Sequence, residues 1–413
     1  MVMKFVKLSD CCEIKPPKSE AKKVLSPTDL VSFVPMKNLG INTVDLELDE
    51  NKQLSEVSGR YTYFAENDVL LAKITPCFEN GKLGIARGLT NGIGFGSSEF
   101  IVFRPSKELL TEYLYYFLLR PIFREQGRAV MTGAVGHKRV PKDYIESTLI
   151  PLPSLEDQKC IVTILDQVFA DIEKARATAE TNLKSARELF DSYLQQVFSQ
   201  RGEGWKTIPL QSLSNIINGY AFKSGDFSPQ NEVKSIKITN VGVYEFVEET
   251  SNFLPKEFTE QYTRYKAFEG DLVIALTRTI ISSGLKVAVV PASYDGALVN
   301  QRVAAVQVNE QLLPKEILQA FLSTKIATDY VKANVSELMQ PNLSIKDLKA
   351  FPVPVPPQDS LEEILKDIVS LKEKTYRLSN VYSRKIEALD ELKKSILQKA
   401  FTGELTKSKG IAA

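Results

Sequence analysis

Ile150–Gln158 reads IPLPSLEDQ, and Val353–Leu361, 203 positions later, reads VPVPPQDSL; each is followed by a long run free of glycine and proline. Prolines fix φ and lack the amide donor, so such a segment stops a sheet and lets a helix begin. Working outward from this pair, further landmarks recur in the same order. FVPMKNLG (Phe33–Gly40) is matched by SIKITNVG (Ser235–Gly242), ENDVLLAKIT from Glu66 by EGDLVIALT from Glu269, and SSEFIVFRP from Ser97 by NQRVAAVQV from Asn300. Tyr113–Phe117 corresponds to Ile317–Phe321, Lys142-Asp143 to Lys346-Asp347, and SYLQQVF from Ser192 to SILQKAF from Ser395. Seven matches at offsets of 202 to 204 define a tandem duplication.

Each copy has two physically different parts. The first part alternates short β-rich runs, such as Asp68–Ile74 and Glu99–Phe103, with turn residues, then a helical stretch near Leu109–Leu119. After the proline junction, Leu155–Phe198 runs 44 residues without glycine or proline, about 66 Å as a helix and longer than one globule can bury. Its apolar residues recur at threes and fours: Ile161, Leu165, Val168, Ile172, Ala175, Ala179, Leu183, Ala186, Phe190, Tyr193 and Val197. Copy two repeats the stripe through Leu361, Leu365, Ile368, Leu371, Leu378, Tyr382, Ile386, Leu389, Leu392 and Ile396. A seam of this kind needs a partner helix, and the nearest is the other copy's. The expected fold is α+β: mixed α/β globules at 1–153 and 201–356, with helices at 154–200 and, with a tail, 357–413. The helices are expected to pair as an antiparallel coiled coil about a pseudo-two-fold axis.

Composition excludes several functions. Lys and Arg total 52 against 51 Asp and Glu, a net charge of +1, so any nucleic-acid contact comes from local clusters. The densest is Arg124–Lys142, where Arg124, Arg128, Lys138, Arg139 and Lys142 face only Glu125. No apolar run suits a signal sequence or a membrane span, which makes a cytoplasmic protein the expectation. Four cysteines without a CxxC and a single histidine, His137, leave little for a metal site. Neither a GxxxxGK phosphate loop nor the Asn/Asp-Pro-Pro-Tyr/Phe signature of adenine methylation is present, so no cofactor is expected in this chain.

The order of variable globule, PLPSLEDQ junction, long helix, second globule and second junction with a helix ending SILQKAFTGEL resembles the specificity subunits of type I restriction–modification systems. The resemblance covers essentially the whole chain, and NQRVAAV (Asn300–Val306) and TGAVGHKRVPKDYI (Thr132–Ile145) add to it. The second junction departs from the usual PLxEQ-like text, leaving the start of its helix open by a turn. The resemblance implies a non-catalytic reader of a bipartite, asymmetric double-stranded DNA target, one half-site per globule. It implies two methyltransferase subunits docked on the helices, restriction/translocase subunits beyond them, and S-adenosylmethionine, ATP and Mg held by those partners. A protein-only scaffold with a coiled-coil spacer is the alternative; near-zero net charge favours it and the basic cluster opposes it.

Three loop regions per globule are the candidate DNA contacts. The first follows the ND/GD strand: Lys73 and Thr75 with Asn80 and Lys82 nearby, and Thr277, Arg278, Ser282 and Ser283 in copy two. Hydroxyls and cations there suit phosphate contacts and short base-edge bonds. The second is Ser97-Ser98 against Asn300-Gln301-Arg302, whose amide and guanidinium groups match adenine or guanine edges. The third is Thr132, Gly133, His137, Lys138 and Arg139 against Gln340 and Asn342. In each region the competing reading is a turn whose polar groups cap strands or meet water. Tyr61, Tyr63, Tyr220 and Phe222 are expected to be core aromatics more than base-stacking platforms.

Overall fold

The computed structural model describes residues 4–134, 136–249, 251, 253–282, 284–334 and 342–404. Contacts divide the chain into two compact units, 1–179 with 384–413, and 180–383. Each unit thus takes one globule and part of both long helices.

The first unit is built on two four-stranded sheets. One runs Cys12–Ile14, Phe100–Pro105, Val69–Ala72, Leu83–Ile85 and is antiparallel throughout. Its central strand, VLLA, is buried at every position, which is why it reads as a continuous apolar run instead of an alternation. The other sheet runs Glu50–Gln53, Leu30–Val34, Ile93–Gly96, Thr62–Ala65, with its middle pair parallel. The helix Thr111–Leu119 buries Tyr113–Leu119 against the first sheet. Phe5–Lys7 pairs with Leu149–Pro151 and so returns the chain to the junction.

At that junction Ser154 accepts a hydrogen bond from Asp157 N at 3.2 Å, capping the helix that starts at Leu155. Gln158 is fully buried. Its amide donates to the carbonyls of Glu108 (2.8 Å) and Pro153 (3.0 Å), and its Oε1 accepts from Leu110 N (2.9 Å). The SLEDQ text therefore locks the helix start to the globule.

The second unit repeats the plan. Ser214–Asn218, Val303–Val308, Leu272–Ala275 and Val287–Val289 form a sheet in the same order as their counterparts. Ser235–Ile236 lies parallel to Ala297–Val299, which pairs on its other side with Lys266–Ala267. Lys206–Pro209 pairs with Pro352–Val355 at the second junction. The second long helix spans Gln358–Ala400, so it starts at the position equivalent to Leu155, and the open turn is settled. Leu361, equivalent to Gln158, is buried in this module's apolar core; an apolar contact replaces the polar lock.

Within each unit the helix segments run antiparallel. In the first, Arg176 pairs with Asp390 (2.8 Å) and Glu173 with Lys393 (2.7 Å); in the second, the Tyr193 hydroxyl reaches Asp367 at 3.5 Å. On the first helix the seam departs from the expected stripe toward the ends. Phe169, Leu194 and Phe198 are buried where Val168, Tyr193 and Val197 are half-buried, because there the helix also faces a globule's core. On the second helix Leu378 and Leu392 are exposed, while Thr375 is buried with its hydroxyl donating to the Leu371 carbonyl. No helix among the described residues is long and apolar enough to cross a membrane.

Candidate nucleic-acid interface

The end of the buried central strand gathers the candidate loops. In the first unit Lys73 N donates to Glu99 O, and Val140 N donates to Lys73 O, both at 2.9 Å. Ile74 bridges Arg139, which pairs with Thr132 across a short hairpin, and Thr75 N donates to Lys138 O at 2.9 Å. Lys73–Thr75, Ser97–Glu99 and Thr132–Arg139, distant in sequence, thus meet at one strand end. The second unit makes the same connections at the same offset: Leu276 N donates to Arg302 O and Leu343 N to Leu276 O, both at 2.8 Å, while Thr277 bridges Asn342. The backbone frame is repeated; the side chains it presents are not.

In the first unit Ser98, Thr132, Gly133, His137, Lys138 and Arg139 are exposed, with Ser97 and Thr75 half-buried. Gly133 has φ of 125°, and a Cβ there would meet His137 O at 2.8 Å, so the hairpin's shape depends on glycine. Arg139 donates to both oxygens of Glu99, at 2.8 and 2.9 Å. That hydrogen bond holds the Glu99 carboxyl below the usual carboxylate range and raises Arg139. Lys73 Nζ donates to Ser98 O at 3.0 Å; burial lowers its pKa, with Glu99 acting in the opposite direction.

In the second unit Arg278, Ser282, Gln301, Arg302 and Asn342 are exposed, and Thr277 and Asn300 are half-buried. Arg278 has φ of 49° and stands just past the strand end. Ser282 sits at the tip of the ribbon that pairs Ile280–Ile281 with Gly284–Leu285. Ser283 and Gln340 lie outside the described residues.

Lys82 has a structural task. Its ammonium donates to the carbonyls of Met36 and Leu39, each at 2.9 Å. Lys286, its counterpart, donates to Ile238 O at 2.8 Å. The same clamp thus recurs in both modules, on the loop that carries the repeated PMKNLG and KITNVG text. Of the aromatics, Tyr63 and Phe222 are core residues, while Tyr61 packs edge-on to Phe33 and Tyr220 against Phe222. The carboxylates Glu79 and Glu99 do not pair with one another: Glu79 faces Arg128 at 3.4 Å. No cluster of three metal-ligating side chains occurs among the described residues.

Sequence reading missed one wall of the first module's site. Lys73, Ser98, Arg139 and Lys142 line a cleft of about 460 Å³ together with Lys15, Lys18 and Arg60. Glu13–Lys23, EIKPPKSEAKK, carried the signal as a local excess of lysine, but it mixes cations and acids, and only the fold sorts them. Glu13 and Glu20 both turn to Arg104, at 3.7 and 2.6 Å.

This duplicated frame, with its paired junctions and helices, agrees with what comparison finds. The family model described as the type I restriction modification DNA specificity domain matches residues 2–180 and again 202–388, and the chain belongs to that family. The EcoAI specificity subunit of Escherichia coli is 25% identical over 81% of this chain and 72% of its own length. The MjaVIII specificity subunit of Methanocaldococcus jannaschii is 28% identical over 76% of this chain and 74% of its own. A chain from a solved type I restriction–modification system superposes with a TM-score of 0.79 at 18% identity, covering 97% of this chain and 98% of that one, and supports the fold. The chain is a type I specificity subunit and not the protein-only scaffold considered as the alternative.

Proposed function

We propose that each module reads one half of a split, asymmetric duplex DNA target, and that the chain carries out no chemistry itself. The observation that carries this reading is the repeated strand-end frame. Identical backbone connections around Lys73 and Leu276 present Ser98, His137, Lys138 and Arg139 in one module, and Arg278, Gln301, Arg302 and Asn342 in the other. Two modules of one shape with different edge-reading groups suit two different half-sites. The unread gap between half-sites would then be set by the long helices.

The methyltransferase subunits, two by the family resemblance, would dock on the exposed faces of the helices, with restriction/translocase subunits added to them. S-adenosylmethionine, ATP and Mg would belong to those partners. A cytoplasmic location follows from work on the host's own DNA. The test is a genome-wide map of N6-methyladenine in cells that express this chain with its neighbouring methyltransferase, against cells lacking only this chain. A split motif that disappears with the chain is the expected result. Unchanged methylation with the complex assembled would overturn the reading.

A further inference from the structure

The far wall of the cleft beside the first module's reading loops has a counterpart in the second module. In the first module this wall is Ile14–Lys18 facing Arg60–Tyr63. In the second, a cleft of about 660 Å³ lies between 215–219 and 263–266, the equivalent stretches by the repeat offset. Neither cleft has an acidic side chain in its lining. The first holds six cations: Lys15, Lys18, Arg60, Lys73, Arg139 and Lys142. The second holds Arg264 and Lys266 among amides, hydroxyls and apolar groups.

The cations of the far wall are left unneutralised. The acids that flank them in sequence, Glu13 and Glu20, pair with Arg104 and not with these cations; Glu20 also accepts from the Tyr63 hydroxyl at 3.1 Å, and Arg104 makes two hydrogen bonds to buried Asp68. No ion pair engages Lys15, Lys18 or Arg60 among the described residues. Lys18 Nζ donates to Gly59 O at 3.1 Å, which fixes its position and leaves its other donors free. Burial lowers the Lys18 pKa, and the charges of Lys15 and Lys22 lower it further, the mark of a positive field that an anion would relieve. An ammonium is a point charge with rotatable donors, suited to a phosphate, and the planar guanidinium of Arg60 matches a phosphate with two parallel bonds.

We propose that Lys15, Lys18 and Arg60 grip the phosphate backbone of bound duplex DNA and position the first module without reading bases. Arg264 and Lys266 do the same at the equivalent place in the second module with fewer charges. The inference rests on the DNA-reading function and adds an asymmetry to it: the first module supplies most of the sequence-independent affinity.

The test measures affinity of the full chain for a duplex of arbitrary sequence over a range of salt concentrations. The slope of log affinity against log salt is negative, and each lost phosphate contact makes it shallower by about 0.9. The variant combining Lys15→Gln, Lys18→Gln and Arg60→Gln is expected to have a slope shallower by about two to three, with the methylated motif in cells unchanged. The charge-conserving set Lys15→Arg, Lys18→Arg and Arg60→Lys is expected to restore the slope, which separates loss of charge from loss of fold. An unchanged slope in the glutamine variant, or an altered base preference in one half-site, overturns the inference and leaves DNA reading intact. A parent chain that binds no duplex at any salt overturns both.

Discussion

Arg302 and Gln301 show what a single position contributes in this architecture. The backbone of Arg302 is fixed by Leu276, so its exposed guanidinium starts from a defined point on the frame. Gln301→Ala with Arg302→Ala is expected to relax one half-site of the methylated motif and leave the other intact, with a loss of about 1–3 kcal/mol for each two-bond base contact removed; methylation mapping reads this directly. Glu99 makes a different prediction. Its pKa in the folded chain lies below the unfolded value, so the Arg139–Glu99 pair adds stability at pH above the unfolded carboxyl's value, about 4.3, and loses it as pH falls through the folded value. The difference in melting temperature between the parent and Glu99→Gln is expected to be present at neutral pH and to vanish in acid. A gap that persists unchanged into acid would assign the effect to packing. At this scale sequence was least informative: Lys82 and Lys73 look alike in a list of cations, and only the carbonyls of Met36 and Leu39 around the first show that it holds a loop.

Among the elements, those with a strong local signature were legible in the sequence alone. The proline junctions locate both helix starts, because proline geometry and the Ser154 cap act over a few residues. Strand order was not legible, since Ser235–Ile236 and Lys266–Ala267 are two residues long and owe their pairing to neighbours far along the chain. The helical seam was legible in the middle of the first helix and shifted at its ends, and on the second helix it shifted at mid-length, where Thr375 is buried and Leu378 exposed. A periodic stripe identifies a face, but Phe169, Leu194 and Phe198 answer to a second surface that periodicity does not contain. Phe198→Ala is therefore expected to cost about 3–5 kcal/mol in denaturant unfolding, whereas Leu392→Lys, at an exposed position, stays within about 0.5 kcal/mol of the parent. Equal costs at both positions would restore the simple stripe.

For the whole molecule, the duplication was the most legible property of all, since it is written as seven ordered matches and needs no physical model to detect. It also makes the helices a candidate ruler. Inserting two helical turns in both helices at matched positions is expected to lengthen the unread gap in the methylated motif without changing either half-site. Altered half-sites with an unchanged gap would remove the ruler. The unequal cationic clefts of the two modules were out of reach of sequence, because the excess of charge at Lys15, Lys18 and Arg60 arises from where Arg104 sends the neighbouring acids.

Leu397, Ala400 and Phe401 are buried in the core of the first module, and Phe401 lies 4.9 and 5.5 Å in ring-centroid distance from Tyr113 and Phe117. The second unit, by contrast, is one uninterrupted stretch of chain. During translation the module that emerges first therefore has to wait for residues made about 200 positions after its own helix enters the core. At about 5–20 residues per second this leaves an aromatic face uncovered for roughly 10–40 s. The later-made unit can close before the earlier one, so the order of completion on the ribosome runs against the order of synthesis, and the nascent first globule is the stage at which a chaperone would find its apolar surface.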